Sequence, residues 1–213
     1  YVLLHGLNGE IDGKKYEGQM VAMATNDDAW IANVLNYVRN TFGNSAGFIA
    51  PKEVAAARAA TKARTQPWTI DELRAQLPQP IANRAAWKLT ASHNAASVAN
   101  AIDGKADTRF DTRGFQVPGM WFQVELAEPT TVTALQLDTT KSGNDYPRGY
   151  KVELSDDGAK WSKPVATGAG AGPLTTIEFA PAKAKFIRVT QTGSVKGNFW
   201  SIHELNVIVP PKS

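Results

Sequence analysis

Asp103-Gly104-Lys105-Ala106-Asp107-Thr108 packs two carboxylates and a hydroxyl into one short stretch. A hard cation takes six or more oxygens, some from carboxylates and some from backbone carbonyls, so a turn rich in Asp and Thr suits one. The plainer reading is that Asp103-Gly104 makes an ordinary turn and that the distant Glu204 is a surface charge. Other stretches set an aromatic ring beside planar hydrogen-bonding side chains: His93-Asn94, Arg113-Gly114-Phe115, residues 142–148 with Tyr146 and Arg148, and Asn198-Phe199-Trp200. A ligand carrying both a C–H face and many hydroxyls needs that combination. Each ring could instead cap a core, and for Trp200, flanked by Ser201-Ile202-His203-Glu204, burial is the stronger reading. The chain has no cysteine, which excludes disulfides, thiolate catalysis, Cys-type zinc sites and covalent haem attachment within it. No paired carboxylate, no nucleophile with its base and no metal-activated water site emerges, so this chain is not expected to be catalytic itself.

These residues need elements to hold them. The length of 213 residues, 43% hydrophobic, allows one or two modest cores. A formal charge of +3 raises a nucleic-acid reading, but nine Lys or Arg face eight Asp or Glu through Arg84, and fourteen face twelve beyond it, so no segment makes a strongly basic field. Nucleic acid is therefore not an expected partner. No apolar run approaches a membrane span, and Tyr1-Val2-Leu3-Leu4-His5-Gly6 lacks the basic start and long apolar core of a signal peptide.

The texture changes near residues 79–84. Before it the spacing is helical. Asn26-Asp27-Asp28 caps an amphipathic helix with Trp30, Ile31, Val34, Leu35 and Val38 on one face, ended by Gly43. Pro51 opens a second helix reaching about Lys62, and Thr69 with Glu72 forms a capping box for a short third one. Residues 76–80 read as a linker. After it, strands are expected at 121–126, 132–138, 150–155, 175–179, 186–192 and 204–209, with turns at Asp156-Asp157-Gly158 and Pro181-Ala182-Lys183. With no long helix between them the strands must pair largely antiparallel, which gives an all-β sandwich.

Five motifs of the second half occur in order: residues 101–110, Trp121-Phe122-Gln123-Val124-Glu125-Leu126, residues 149–161, Lys185-Phe186-Ile187-Arg188-Val189-Thr190, and residues 201–207. Together they resemble the discoidin, or coagulation factor V/VIII type C, family in its bacterial carbohydrate-binding form. The resemblance covers about the last 125 residues. It implies an eight-stranded jelly-roll sandwich, often with one structural calcium. Asp103, Asp107 and Thr108, with the carbonyl of Lys105, match the family's calcium turn, and Glu204 matches its distant carboxylate. Sugar recognition in the family comes from variable loops at one end of the sandwich; the candidates here are His93, Asn94, Tyr146, Arg148 and Phe199.

Residues 2–11, then Tyr16-Glu17-Gly18-Gln19-Met20, then the helix ending Tyr37-Val38-Arg39-Asn40, look like the C-terminal half of a class I cytochrome c domain. That resemblance implies a haem c cofactor with Met20 as axial ligand and Met23 as second choice, a soft thioether favouring reduced iron. Two departures stand out: Val21 replaces the usual proline after the methionine, and the Cys-X-X-Cys-His motif is absent. The start at Tyr1 reads as a cut through a domain, with the haem-bearing segment expected upstream or on a partner chain. His5 and Tyr16 read as packing or hydrogen-bonding residues, and Met20 has the alternative of a buried filler in a haemless relic.

The expectation is a multidomain chain: a mainly-α cytochrome c-like part at 1–65, a linker with a short helix at 66–84, and an all-β jelly roll at 85–213. As a fragment of an extracytoplasmic c-type cytochrome protein, periplasmic or secreted and part of a larger oxidoreductase, it would transfer electrons at its front and bind a glycan or cell-surface carbohydrate at its back. Its partners would then be that glycan and a haem-bearing segment or redox protein. The alternative is a non-catalytic assembly subunit that uses the sandwich for protein contacts.

Overall fold

Local patterning accounts for most elements. The computed structural model describes residues 1–11, 14, 15 and 20–211. The stretch 16–19, with Tyr16, lies outside them. The chain divides into two compact units, Tyr1–Gln76 and Leu77–Ser213. Among its described residues the first unit comprises α1 (Val2–His5), β1 (Leu7–Asn8), β2 (Glu10–Ile11), β3 (Lys14–Lys15), α2 (Asp28–Arg39), α3 (Pro51–Ala60), β4 (Trp68–Thr69) and α4 (Ile70–Ala75).

Asp27 caps α2 by accepting from Trp30 N at 2.7 Å, and Thr69 and Glu72 form the reciprocal capping box of α4. The helix from Pro51 ends at Ala60, two residues before the expected Lys62. Leu4, Ile31, Ala32 and Val54 make a small core. Arg58 fastens α3 to the entry of α2, with Nε 2.9 Å from Asp28 Oδ1 and further bonds to the carbonyls of Ala24 and Asn26. The apolar face expected on α2 is only partly used, for Trp30 and Val38 are exposed.

In the second unit β5 (Gln79–Pro80), β6 (Lys88–Ala91), β7 (Phe110–Gln116), β8 (Trp121–Asp138), β9 (Tyr150–Ser155), β10 (Ala166–Gly168), β11 (Leu174–Gln191), β12 (Val195–Ile202) and β13 (Glu204–Val209) pair antiparallel. The segments expected as separate strands at 121–126 and 132–138 are one strand, and so are 175–179 and 186–192. Each long strand loses its alternation midway, at Ala127-Glu128-Pro129 and Ala180-Pro181, where the β8–β11 register also shifts.

The bend sorts the pairings into two layers. Residues 186–191 of β11 carry β9, and residues 122–125 of β8 carry β6. Residues 134–138 of β8 instead carry β13, whose end pairs with β5. Inward residues of both layers, among them Phe122, Val124, Ile187 and Val189 from one and Leu135, Leu137, Ile177 and Leu205 from the other, share one core with Phe110 and Trp200. Sheet on sheet with one apolar interior is the expected sandwich. Within the expected linker, Gln79–Pro80 is an edge strand on Ile208–Val209, where proline's missing N–H costs no ladder bond.

Candidate ligand-binding site

The Asp-rich turn is closed by its own oxygens. Asp103 Oδ1 accepts from Lys105 N at 2.9 Å, and the Thr108 hydroxyl lies 2.9 and 2.7 Å from the two Asp103 oxygens and 3.0 Å from the Lys105 carbonyl. Gly104, at φ 77°, donates its N–H to Glu204 Oε1 at 2.6 Å. Arg84 Nη1 holds the other Glu204 oxygen at 2.6 Å. Desolvation pushes the Asp103 carboxyl up, but the Thr108 hydroxyl, the Lys105 amide and the charges of Lys105 and Arg84 together hold it below the usual range.

The structure thus brings together Asp103, the Lys105 carbonyl, Thr108 and Glu204. The Asp107 side chain is not among them: its carboxylate is 90% exposed and 3.5 Å from Lys141 Nζ. No group of three or more His, Cys, Asp or Glu that could hold a metal forms among the described residues. The donor set is therefore two carboxylates with carbonyl and hydroxyl oxygens, which fits a hard cation of the calcium type rather than a transition metal.

The aromatic and polar candidates are organised by a residue that sequence patterning passes over. Gln116 is 1% exposed. Its Nε2 donates to the carbonyls of Tyr146 at 3.0 Å and Phe199 at 2.8 Å. Its Oε1 accepts from Arg148 N at 3.0 Å and from Gln191 Nε2. One buried amide therefore joins β7, the 142–148 loop, β11 and β12. On the outer side of the β7–β12 pair, Phe115 lies opposite Phe199 with ring centroids 6.1 Å apart, and Phe115 is 52% exposed.

Tyr146 and Arg148 shape the loop. The Arg148 guanidinium lies 3.8 Å over the Tyr146 ring, and its Nη2 donates to the Asn144 carbonyl at 2.7 Å. A methyl group on Gly170 would come within 3.1 Å of Tyr146 Cδ2, so Gly170 packs closely on this ring. Asn94, at φ 47°, donates to the Asp111 carbonyl at 2.9 Å, while His93 is exposed with Nδ1 2.9 Å from Ser92 Oγ. Trp200 is fully buried.

A polar cluster not singled out in the sequence lies at the same end. Arg109 stands between Asp111 at 3.3 Å and Asp145 at 3.6 Å, and also bonds Ser142 Oγ. Ser201 Oγ donates to Asp145 Oδ2 at 2.7 Å. Ser142 Oγ is 2.9 Å from His203 Nε2, and His203 Nδ1 is 2.8 Å from the Ala106 carbonyl. A carbonyl only accepts, so Nδ1 carries a proton and donates to Ala106. No local pattern marked this cluster, because Arg109 and Asp111 sit at a strand, β7, that the sequence did not show as one.

In the first unit Met20 is 42% exposed, so it is not a buried filler, and its backbone bridges Leu7. A Cβ on Gly6 would meet the Met20 carbonyl at 2.3 Å, so only glycine lets the Met20 segment lie there. Met23 is likewise exposed, and His5 Nε2 is 2.6 Å from Thr61 Oγ1, the hydrogen-bonding role expected of it.

Comparison with known proteins bears on the second unit. The galactose oxidase of Gibberella zeae is 29% identical over 147 residues, 63% of this chain and 22% of that protein, so the chain spans about a fifth of that relative's length. CpGH89CBM32-5 of Clostridium perfringens, solved with GalNAc-β-1,3-galactose, is 26% identical with a TM-score of 0.50, covering 61% of this chain and 98% of that one. The family 32 CBM of NanJ from C. perfringens, solved with galactose, shares the fold at 23% identity and a TM-score of 0.50, covering 62% and 98%. The F5/8 type C domain profile matches residues 85–205, more than half of the sequence, and the chain belongs to the F5/8 type C domain family.

Proposed function

We propose that the second unit is a carbohydrate-binding module that holds its ligand at the β7–β12 end without transforming it. The observation that carries this reading is the Phe115–Phe199 pair, Phe115 exposed and Phe199 half-buried, with the Phe199 backbone held by buried Gln116. Such rings offer a C–H face to a sugar, and the neighbouring Arg109, Asp111 and Asp145 offer donors and acceptors for hydroxyls. The C. perfringens relative at 26% identity, solved with a galactose-containing disaccharide, supports the same ligand class. Tyr146 and Arg148 shape the loop around the ligand, and His93 and Asn94 form its far wall. Calcium, when bound, would be held by Asp103, the Lys105 carbonyl, Thr108 and Glu204 and would lock the turn; Asp107 would join only by leaving Lys141. A broad glycan array probed with the protein, Phe115→Ala and Phe199→Ala tests the reading: binding lost in both variants supports it. Silence of the unsubstituted protein across the array would refute it and favour an assembly subunit making protein contacts.

For the first unit we propose the front part of an extracytoplasmic c-type cytochrome protein, on a separate observation. Leu3, Leu4, Ile31, Leu35, Ile49 and Val54, with Glu53 at its edge, line a largely apolar cleft of about 200 Å³; Met20, 42% exposed, is not among the residues that line it. Haem, if bound, would supply a one-electron iron centre, and the Met20 thioether would be the soft donor this chain offers it. The chain has no cysteine and His5 is engaged by Thr61, so this unit itself offers haem neither attaching thiols nor a free histidine. The tether would then keep a redox partner near a glycan surface through local concentration. A Soret band in the full-length protein whose reduced spectrum changes in Met20→Ala supports this, and a colourless full-length protein refutes it.

A further inference from the structure

The charges at the β7–β12 end are unequally satisfied. Arg109 occupies both carboxylates, Asp111 and Asp145. Lys141 lies on Asp107, and Arg148 is taken up by Tyr146 and the Asn144 carbonyl. Two cations remain, Arg113 and Lys196, both exposed and neither with a side-chain partner among the described residues. Arg113 lies two residues before Phe115 on the outward side of β7. Lys196 lies in the bulge of β12 between Val195 and Phe199, which pair with Gln116 and Phe115. The two thus border the aromatic pair.

Arg113 is also held at a backbone cost. Its φ of 47° is unusual for a residue with a side chain, and its N–H is fixed by Asp111 Oδ1 at 2.9 Å. Asn94, the other such residue of this unit, also donates to Asp111. Two residues at positive φ tied to one aspartate, Asn94 at its backbone carbonyl and Arg113 at its carboxylate, mark a conformation that the surroundings impose, and outliers such as Arg113 collect at ligand sites. Arg113 is exposed at this point, two residues before Phe115 on β7.

We infer that this end takes an acidic saccharide, whose carboxylate or sulfate is met by Arg113 and Lys196 while its ring lies on Phe115 and Phe199. The inference rests on the carbohydrate-binding reading and narrows its ligand class. An exposed pair of cations discriminates through charge-assisted hydrogen bonds, which salt weakens.

Calorimetric titration with tetragalacturonate, a sulfated carrageenan oligosaccharide and neutral galactotetraose tests it, alongside the glycan array. At least one acidic ligand is expected to bind, at least tenfold more tightly than the neutral one, and to weaken in 0.5 M salt; which acid binds separates carboxylate from sulfate. Arg113→Gln and Lys196→Gln should each lose roughly tenfold in affinity, the scale of one charge-assisted contact. Arg113→Gly, which relieves the strained φ, should lose as much while melting no lower than the parent, separating recognition from folding. Neutral galactotetraose binding as well as the acids, or affinities unchanged in the variants, would overturn the acidic class and leave carbohydrate binding standing. An array silent toward every saccharide would overturn both.

Discussion

Replacing Gln116 by alanine should do more damage than replacing any exposed residue of the same site. The side chain makes four hydrogen bonds, donating to Tyr146 O and Phe199 O and accepting from Arg148 N and Gln191 Nε2. Truncation strands all four partners at a node where Gln116 and Gln191 are each 1% exposed. At about 1 kcal/mol for each group left unpaired, with some relief from entering water, the loss is roughly 3–4 kcal/mol. For a unit of this size that corresponds to a fall in Tm of about 10–15 °C. Differential scanning calorimetry of the whole chain, following the transition of the larger unit, reads this directly, with Phe115→Ala as the exposed comparison that should move it by about 2 °C or less. A fall under about 4 °C for Gln116→Ala would refute the assignment of Gln116 as the tie between strands and loop. Saccharide binding should fall in both variants, in Gln116→Ala because the loop and Phe199 lose their common anchor and in Phe115→Ala because the platform itself is removed.

Calcium at one hundred times its Kd should raise the melting temperature of the larger unit by roughly 8–10 °C, the equivalent of about 2.7 kcal/mol. The rise should vanish in Asp103→Ala and in Glu204→Ala, and indifference of the parent to calcium and chelator would count against the cation turn. Gly149→Ala places a methyl group 2.7 Å from Gly193 N and should cost about 1–3 kcal/mol in urea unfolding; an unchanged midpoint would show that the two backbones can part freely. In the first unit the Glu72 carboxyl is lowered to about 2, chiefly by the Arg64 guanidinium and then by the Thr69 amide. A depressed folded value means that its contribution is complete above the ordinary 4.5 and is lost as pH falls toward 2. Glu72→Gln should therefore flatten the acid limb of this unit's stability in that window, and an identical limb would contradict the pairing.

Helix entries were legible because their determinants lie within a few residues. Asp27 reaches Trp30 N, and Thr69 and Glu72 satisfy each other. The strand segments were legible for the same reason, since alternation of buried and exposed positions is a local pattern. The fusion of 121–126 with 132–138 into one bent strand was not, because continuity across Ala127-Glu128-Pro129 depends on the partner strand β11 bending with it. Strands β7 and β12 were missed as strands: Gly114, Gly197 and the positive φ of Arg113 interrupt their alternation, and only their mutual pairing makes them a sheet.

The amino-acid order alone determined the antiparallel sandwich, the oxygen-rich turn at Asp103 and the family, because periodicity, turn residues and motif order are properties of neighbours along the chain. Tertiary structure alone decided which groups meet. Gln116 binds Phe199 across 83 positions, Glu204 reaches Gly104 across 100, and Arg109 claims both Asp111 and Asp145. Such contacts are fixed by strand order, register and the bend of two long strands, and side-chain chemistry constrains them only after the backbone has brought the partners within hydrogen-bonding distance.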